Sequence, residues 1–259
     1  LYEGGIGFPA KRPSGSPLKT RQLDKSRRLT SELLMRLAKS VAYALQDRIH
    51  FHLFDRWSDQ RLGIDATGMH SPAELALQGE NAQFAAEYFA TPAWIFRRLV
   101  DSLAIDVGRF VFVDYGCGKG RVLALAAERA FLRVEGVELS EGMHRLAVAN
   151  IAKARNGGAL RAPVVVHRGD ATEYELPEHP LVVYLFNPFG EKVISRVADA
   201  IQASLRATPR EAYVIYVNAI HRDCFDRMTC LQEIPRSMWS KTLDRLMTRW
   251  PMAIYRARA

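Results

Sequence analysis

From position 109 onward the chain alternates two apolar patterns. The runs RFVFVDY (109–115), RVEGVEL (133–139), PVVVHR (163–168), LVVYLFN (181–187) and EAYVIYVN (211–218) are short, nearly continuous in apolar residues and rich in valine. Such runs predict strands buried on both faces. Between them RVLALAAERA (121–130), EGMHRLAVANIAKA (141–154) and EKVISRVADAIQASL (191–205) show helical spacing, with Val193, Val197 and Ile201 on one face. Two more strand candidates close the chain, CLQEIPRS (230–237) and RWPMAIYRA (249–257). No helix is read between them, which predicts an antiparallel hairpin at one side of the sheet. Strands alternating with helices predict a doubly wound α/β core over residues 105–259.

Ahead of that core the period is helical. In SELLMRLAKSVAYALQDRI (31–49), Leu34, Leu37, Val41 and Leu45 share one face. A second helix is expected over 80–89, and Pro92 opens a third, PAWIFRRLVDSL. The polar, glycine-containing stretch RWSDQRLGIDATGMHS (56–71) between them predicts a loop. Residues 30–104 are therefore read as a helical extension.

Composition changes this picture only at the start. At 48% apolar and 25% charged, the 259 residues are ordinary for a globular protein. The formal charge of +8 is uneven: between positions 11 and 28, Lys11, Arg12, Lys19, Arg21, Lys25, Arg27 and Arg28 face only Asp24. This basic, Pro- and Gly-containing arm (1–29) reads as flexible and suited to holding phosphates, which makes nucleic acid a candidate partner. No apolar run approaches the roughly 20 residues of a membrane helix, and no secretory apolar segment stands near the start. Three cysteines, Cys117, Cys224 and Cys230, lack metal spacing. Together these features predict a reduced, cytoplasmic setting with no membrane and no metal.

The chemistry concentrates in VDYGCGKG (113–120). An apolar run ends at the acid Asp114, and Gly116, Gly118 and Gly120 follow at every second position. A bare turn between a strand and a helix lets a ligand lie against main-chain atoms. A dinucleotide site would show G-x-G-x-x-G, and a carboxylate beside the turn would repel a phosphate. A ligand with ammonium and sulfonium charges would be attracted. Glu138 ends the next strand, 22 residues after Gly116, where it suits two ribose hydroxyls. Asp170 ends the third strand in HRGDAT and suits an adenine amino group, with the Ala171 N–H suited to the ring. FNPFG ends the fourth with Asn187, Pro188, Phe189 and Gly190. All lie at the carboxyl ends of strands, where ligands bind in open α/β sheets.

In this order these segments resemble the class I S-adenosylmethionine-dependent methyltransferases. VDYGCGKG resembles their first motif, VELS the ribose acid, GDA the adenine contact and FNPFG the substrate-side fourth motif. The resemblance covers about 60% of the chain. It implies a Rossmann-like seven-stranded sheet whose last strand is antiparallel, and S-adenosylmethionine as cofactor. Cys117, within the turn, Leu139, after the ribose acid, and Asn187, at the start of the fourth motif, fall in the implied cofactor set, although the Cys117 thiol reads as packing rather than a nucleophile. GIDATG followed by YFATP is similar to segments ahead of the first motif in a bacterial subgroup with unassigned substrates. That analogy brings Tyr88 and Thr91 to the methionine carboxylate.

Methyl transfer needs the acceptor aimed at the methyl group and water kept out. Asn187, with Pro188, suits hydrogen bonds from an acceptor N–H, and Phe189 suits stacking on a flat group. FNPFG departs from the N-P-P-Y pattern of adenine and glutamine amino methyltransferases: the second proline is absent. A nitrogen nucleophile is the expectation, on protein, nucleic acid or small molecule. His221, in YVNAIHRD after the fifth strand, is the one histidine suited to act as a base. A nucleotide-binding oxidoreductase and a non-catalytic cofactor-binding module are the alternatives. Acceptor identity and oligomeric state are not legible.

Overall fold

A computed structural model describes residues 35, 55–67, 89–248 and 250–258. The chain divides into two compact units, Leu1–Gln46 and Asp47–Ala259, and all described residues except Met35 belong to the second. The basic arm lies outside the described residues, as do the helices expected over 31–49 and 80–89 apart from Met35, which is helical, and Phe89, which is not.

The described elements run α1 (Arg56–Leu62), α2 (Ala93–Asp101), β1 (Val111–Tyr115), α3 (Arg121–Glu128), β2 (Arg133–Glu138), α4 (Glu141–Asn156), β3 (Val164–Arg168), β4 (Leu181–Phe186), α5 (Glu191–Ala207), β5 (Ala212–Val217), α6 (Asp223–Asp226), β6 (Leu231–Glu233), α7 (Met238–Met247) and β7 (Met252–Ala257). The strands form one seven-stranded sheet in the order β3-β2-β1-β4-β5-β7-β6. β7 is antiparallel to both β5 and β6, and the pairs among β1 to β5 are parallel. The order reverses beside β1, so the ends of β1 and β4 flank the crevice where ligands enter such sheets. Among the described residues no helix is long and apolar enough to cross a membrane.

Alternation along β1 explains the two cores. Phe112 joins Val182, Tyr184, Ile215 and Ile254 under α2, α3 and α4. Val111, Val113 and Tyr115 join Val183, Leu185, Val214 and Tyr216 under α5. A strand sandwiched this way must be largely apolar on both faces, which is why β4 and β5 read as unbroken apolar runs and β1 is interrupted only by Asp114.

Two expectations are corrected. The stretch expected as a loop from 56 contains helix α1, stopped by Gly63 in the left-handed region at φ 69°. Its polarity is misleading, because Ser58 and Asp59 point inward and are buried. Between the two closing strands stands α7, capped by Ser237, whose hydroxyl accepts from the Ser240 N–H. The helix returns the chain so that β7 inserts between β5 and β6.

Gly136, in the middle of β2, is bare for a packing reason. A Cβ there would lie 2.6 Å from Leu123 Cδ1 and 2.8 Å from Cys117 Sγ. Gly136→Ala should therefore destabilise the fold by about 1–3 kcal/mol, the usual cost of overpacking. Urea unfolding checks this, and an unchanged midpoint would mean that α3 has room to move.

Candidate active site

The glycine turn is built on three left-handed residues, with φ of 75° at Gly116, 54° at Gly118 and 82° at Gly120. The N–H groups of Gly116 and Cys117 both donate to the Val137 carbonyl, at 2.9 and 3.1 Å, which folds the turn onto the end of β2. Each glycine answers a different demand. A Cβ on Gly116 would sit 2.5 Å from Pro188 Cβ. A Cβ on Gly120 would meet Ala147 Cβ of α4 at 3.3 Å. Gly118 turns its N–H toward Glu138 Oε2, at 2.9 Å. The spacing thus serves close approach of backbone to two neighbouring segments as well as the turn itself.

Two buried acids face this turn. Glu138 accepts from Gly118 N and, through Oε1, from Ser140 N at 2.8 Å; the Leu139 N–H adds a third favourable contact. Burial still holds its carboxyl above the usual range. Asp114 is only 4% exposed, and among the described residues none donates a hydrogen bond to it. Desolvation, and then repulsion from Glu138, pushes its carboxyl well above the ordinary value. A buried carboxylate without a donor is costly unless a cation or donor comes to it. A ligand with an ammonium and a sulfonium answers that need, and a polyphosphate does not. Cys117 is raised as well, by burial, Glu138 and Asp114, which keeps it a thiol. Leu139 is half-buried beside the acids.

Asp170 follows β3, next to Gly169, whose N–H donates to the Glu138 carbonyl at 3.1 Å. Asp170 Oδ1 accepts from both N and Oγ1 of Thr172, each at 2.8 Å, so a turn fixes its carboxylate. Ala171 is buried. The sheet brings Asp114, Glu138 and Asp170 to one edge in the order expected for amino acid, ribose and base.

Tyr88 lies outside the described residues. Thr91 is 4% exposed and accepts from Tyr184 Oη at 3.2 Å. Its carbonyl accepts from Arg121 Nη1 at 3.3 Å. Arg121 opens α3 directly behind the glycine turn and is itself buried. It forms a two-pronged pair with Asp59, Nε–Oδ1 at 2.9 Å and Nη2–Oδ2 at 2.7 Å, and reaches Asp55 Oδ2 at 3.0 Å. Asp55 also accepts from the Ala93 N–H at 2.9 Å. Burial, only partly offset by Arg121, pushes the Asp55 carboxyl up to about 6. Asn150 of α4 adds a second tether: its amide donates to the Asp65 and Lys119 carbonyls at 3.0 and 2.9 Å, and its Oδ1 accepts from Asp65 N at 3.1 Å. Segments 55–67 and 91–93 are thereby clamped to the turn. None of Asp55, Asp59, Arg121, Asn150 or Tyr184 stood out in the sequence. The available signal was an arginine heading an otherwise apolar helix, and two aspartates one helical turn apart in DRWSD.

On the other side of the turn, Asn187 adopts a left-handed backbone at φ 38°. Asparagine tolerates this better than most residues. Its Oδ1 accepts from Tyr216 Oη at 3.1 Å, and Tyr216 in turn takes the His221 backbone N–H. His221 thus contributes its main chain to this arrangement, and its half-buried side chain stands on the loop after β5. Pro188 and Phe189 pack toward Gly116, as the 2.5 and 3.7 Å approaches show. Phe186, Phe89 and Trp250 form a half-buried aromatic group at the same edge, with ring centroids 4.9–6.1 Å apart. Among the described residues no group of three or more His, Cys, Asp or Glu side chains could hold a metal.

Residues 112–208 match the family model described as a methyltransferase domain. No curated protein matches the chain. Similar solved structures include an RNA methyltransferase from Salinibacter ruber in complex with S-adenosyl-L-homocysteine, at 19% identity over 65% of this chain and 92% of that one, with a TM-score of 0.42. Others are a precorrin-6y C5,15-methyltransferase from Geobacter metallireducens, at 13% identity over 70% and 95% with a TM-score of 0.46, and a putative methyltransferase from Escherichia coli, at 14% over 64% and 87% with a TM-score of 0.47. Likenesses this distant carry no inference about what this chain acts on.

Proposed function

This chain carries a class I S-adenosylmethionine-dependent methyltransferase domain, and from that premise we propose that it methylates a nitrogen acceptor held at Asn187, Pro188 and Phe189. The observation that supports this reading most directly is the contact between the Asn187-Pro188-Phe189 turn and the glycine turn, where Pro188 fills the space that a side chain on Gly116 would need. Cofactor turn and acceptor turn are thus adjacent walls of one crevice.

When bound, S-adenosylmethionine supplies an electrophilic methyl group on a sulfonium. The residues of this chain do the placing. Gly116, Cys117, Gly118 and Gly120 would offer main chain to it; Asp114 would take the ammonium, Glu138, with Leu139 beside it, the ribose, and Asp170 and Ala171 the base. The second lone pair of Asn187 Oδ1, and the Asn187 carbonyl, accept from an acceptor N–H and orient its lone pair. Tyr216 fixes that amide from behind. Phe189, with the aromatic group at Phe186 and Trp250, keeps water out. His221, whose backbone N–H meets Tyr216, is the residue we assign to take a proton once the acceptor is charged. We place this activity in the cytoplasm, where three free cysteines are stable. The basic arm over 1–29 suits a nucleic-acid acceptor by its charge alone.

The test is methyl-labelled cofactor incubated with a cell extract, then fractionated into protein, nucleic acid and small molecules. Label is expected on a nitrogen. Label lost as methanol in mild base, the mark of an ester, would overturn the nitrogen assignment. Binding of S-adenosylhomocysteine with no label transferred in any fraction would instead favour a module that binds without turnover.

A further inference from the structure

Asp55, Asp59 and Arg121 carry one negative charge in excess. Two carboxylates share one guanidinium, and all three side chains are buried. Asp59 gives both oxygens to Arg121, in the two-pronged pair. Asp55 is divided: its Oδ2 accepts from Arg121 Nη1 and its Oδ1 from the Ala93 N–H. The direction of these bonds is fixed, because a guanidinium and an amide N–H can only donate. Among the described residues, Arg121 of α3 attracts Asp55 and Asp59 of α1 repels it, while the start of α2 brings the uncharged Ala93 N–H. Lys119 of the glycine turn acts on Asp59 and Arg121. Arg97 of α2 reaches Ser58 Oγ and Glu128 instead, at 3.4 and 3.2 Å.

Asp55 thereby joins the heads of two helices. Ala93 opens α2, where no side chain of Pro92 caps the first turn, so the carboxylate also meets the positive end of that helix. Arg121 opens α3, directly after Gly120. One side of this joint is the glycine turn. The other is segment 89–92, where Phe89 stands edge-on to Phe186 and Trp250 at the crevice. A proton on Asp55 undoes the joint. A carboxylic acid turns an O–H outward, so one of its oxygens stops accepting. Either the Ala93 N–H or Arg121 then loses its partner, and the remaining bond loses its charge assistance. The two walls of the crevice are bonded through Asp55 only while it is ionised.

We infer that Asp55 is a positioning residue of the cofactor site that works only as a carboxylate: the cofactor binds with this joint closed, and a proton leaves Asp55 as it binds. The inference rests on the cofactor assignment and is independent of the acceptor, so its failure leaves the nitrogen reading standing. Burial, against the pull of Arg121, holds the free carboxyl at about 6. A ligand that selects the ionised form binds fully above that value and loses about tenfold for each pH unit below it.

The experiment is calorimetric binding of S-adenosylhomocysteine to the full chain, in buffers of different ionisation heat so that released protons are counted. Asp114 lies in the same crevice and adds its own pH dependence, so the parent is compared with Asp55→Asn. At pH 6 the parent should release about half a proton more than Asp55→Asn, and at pH 8 the two should release equal numbers. Between pH 8 and pH 5 the parent should lose about tenfold more affinity than the variant does. Equal proton release at pH 6, or a variant weaker by one constant factor at every pH, would assign Asp55 to the fold alone and overturn the inference. The parent protein supplies a second readout that needs no variant. The Ala93 amide nitrogen resonance should titrate near pH 6 in the free protein, and at lower pH once S-adenosylhomocysteine is bound. An Ala93 resonance that does not titrate between pH 5 and 8, or a midpoint that the ligand leaves in place, also overturns it.

Discussion

Arg121→Met should destabilise the protein by about 3–5 kcal/mol at pH 8, the range for removing one partner of a buried ion pair. Methionine fills much of the volume, so the loss is electrostatic. It leaves the Asp55 and Asp59 carboxylates buried, with side chains 1% and 3% exposed, and without their shared cation. The pH dependence separates this account from simple packing loss. In the parent protein Asp55 is raised from 3.8 to about 6. A carboxyl raised on folding adds stability below its unfolded pKa and loses it as pH rises through the folded one. Asp55 therefore lowers parent stability between about pH 4 and 6. Without Arg121 its main attraction is gone and its pKa climbs further, so the window extends upward. Urea unfolding at pH 5 and pH 8 should show a much smaller cost at pH 5, where protonation relieves the orphaned Asp55. A cost equal at both values would assign the loss to packing. Cofactor affinity should fall as well, because Thr91 and the start of α2 hang on the same arginine.

Asn187→Ala should reduce turnover by roughly 10²-fold or more, about 2.7 kcal/mol of transition-state stabilisation. Cofactor affinity should stay within about threefold, roughly 0.7 kcal/mol. We place the side chain at the acceptor side because its Oδ1 accepts from Tyr216 of β5 and, among the described residues, it bonds to none of Asp114, Glu138 or Asp170. Two companions sharpen the reading. Alanine at φ 38° adds backbone strain that asparagine avoids. Asn187→Gly removes that strain while still lacking the amide, and should be as slow as alanine. Asn187→Asp keeps the oxygens that accept from Tyr216 and from an acceptor N–H, and should retain much more activity. If glycine restores the rate, only the backbone turn matters. If the variants lose cofactor and keep their rate at saturation, Asn187 belongs to the cofactor pocket.

What was legible in the sequence follows from local physics. Strands buried on both faces must be largely apolar, so β1, β4 and β5 announced themselves, and helices packed on one side show it in their period. The left-handed glycines between Asp114 and Arg121 were visible because no other residue meets three such demands at once. The acids Glu138 and Asp170 were found at strand ends because parallel strands must end at one edge. Helix α1 was hidden because its inward face is polar: Asp59 is buried against Arg121, 62 residues further on, and Ser58 accepts from Arg97. Helix α7 and the insertion of β7 between β5 and β6 depend on strand partners distant in sequence, which no local pattern states. The same holds within the site. That Gly116 makes room for Pro188, that Tyr216 holds Asn187, and that Tyr184 holds Thr91 are pairings of residues 29 to 93 positions apart. Residue types gave the chemistry available at the edge of the sheet. Only the packed chain decided which groups are desolvated, which are already satisfied, and which, like Asp114, are left facing the crevice with a bond still to make.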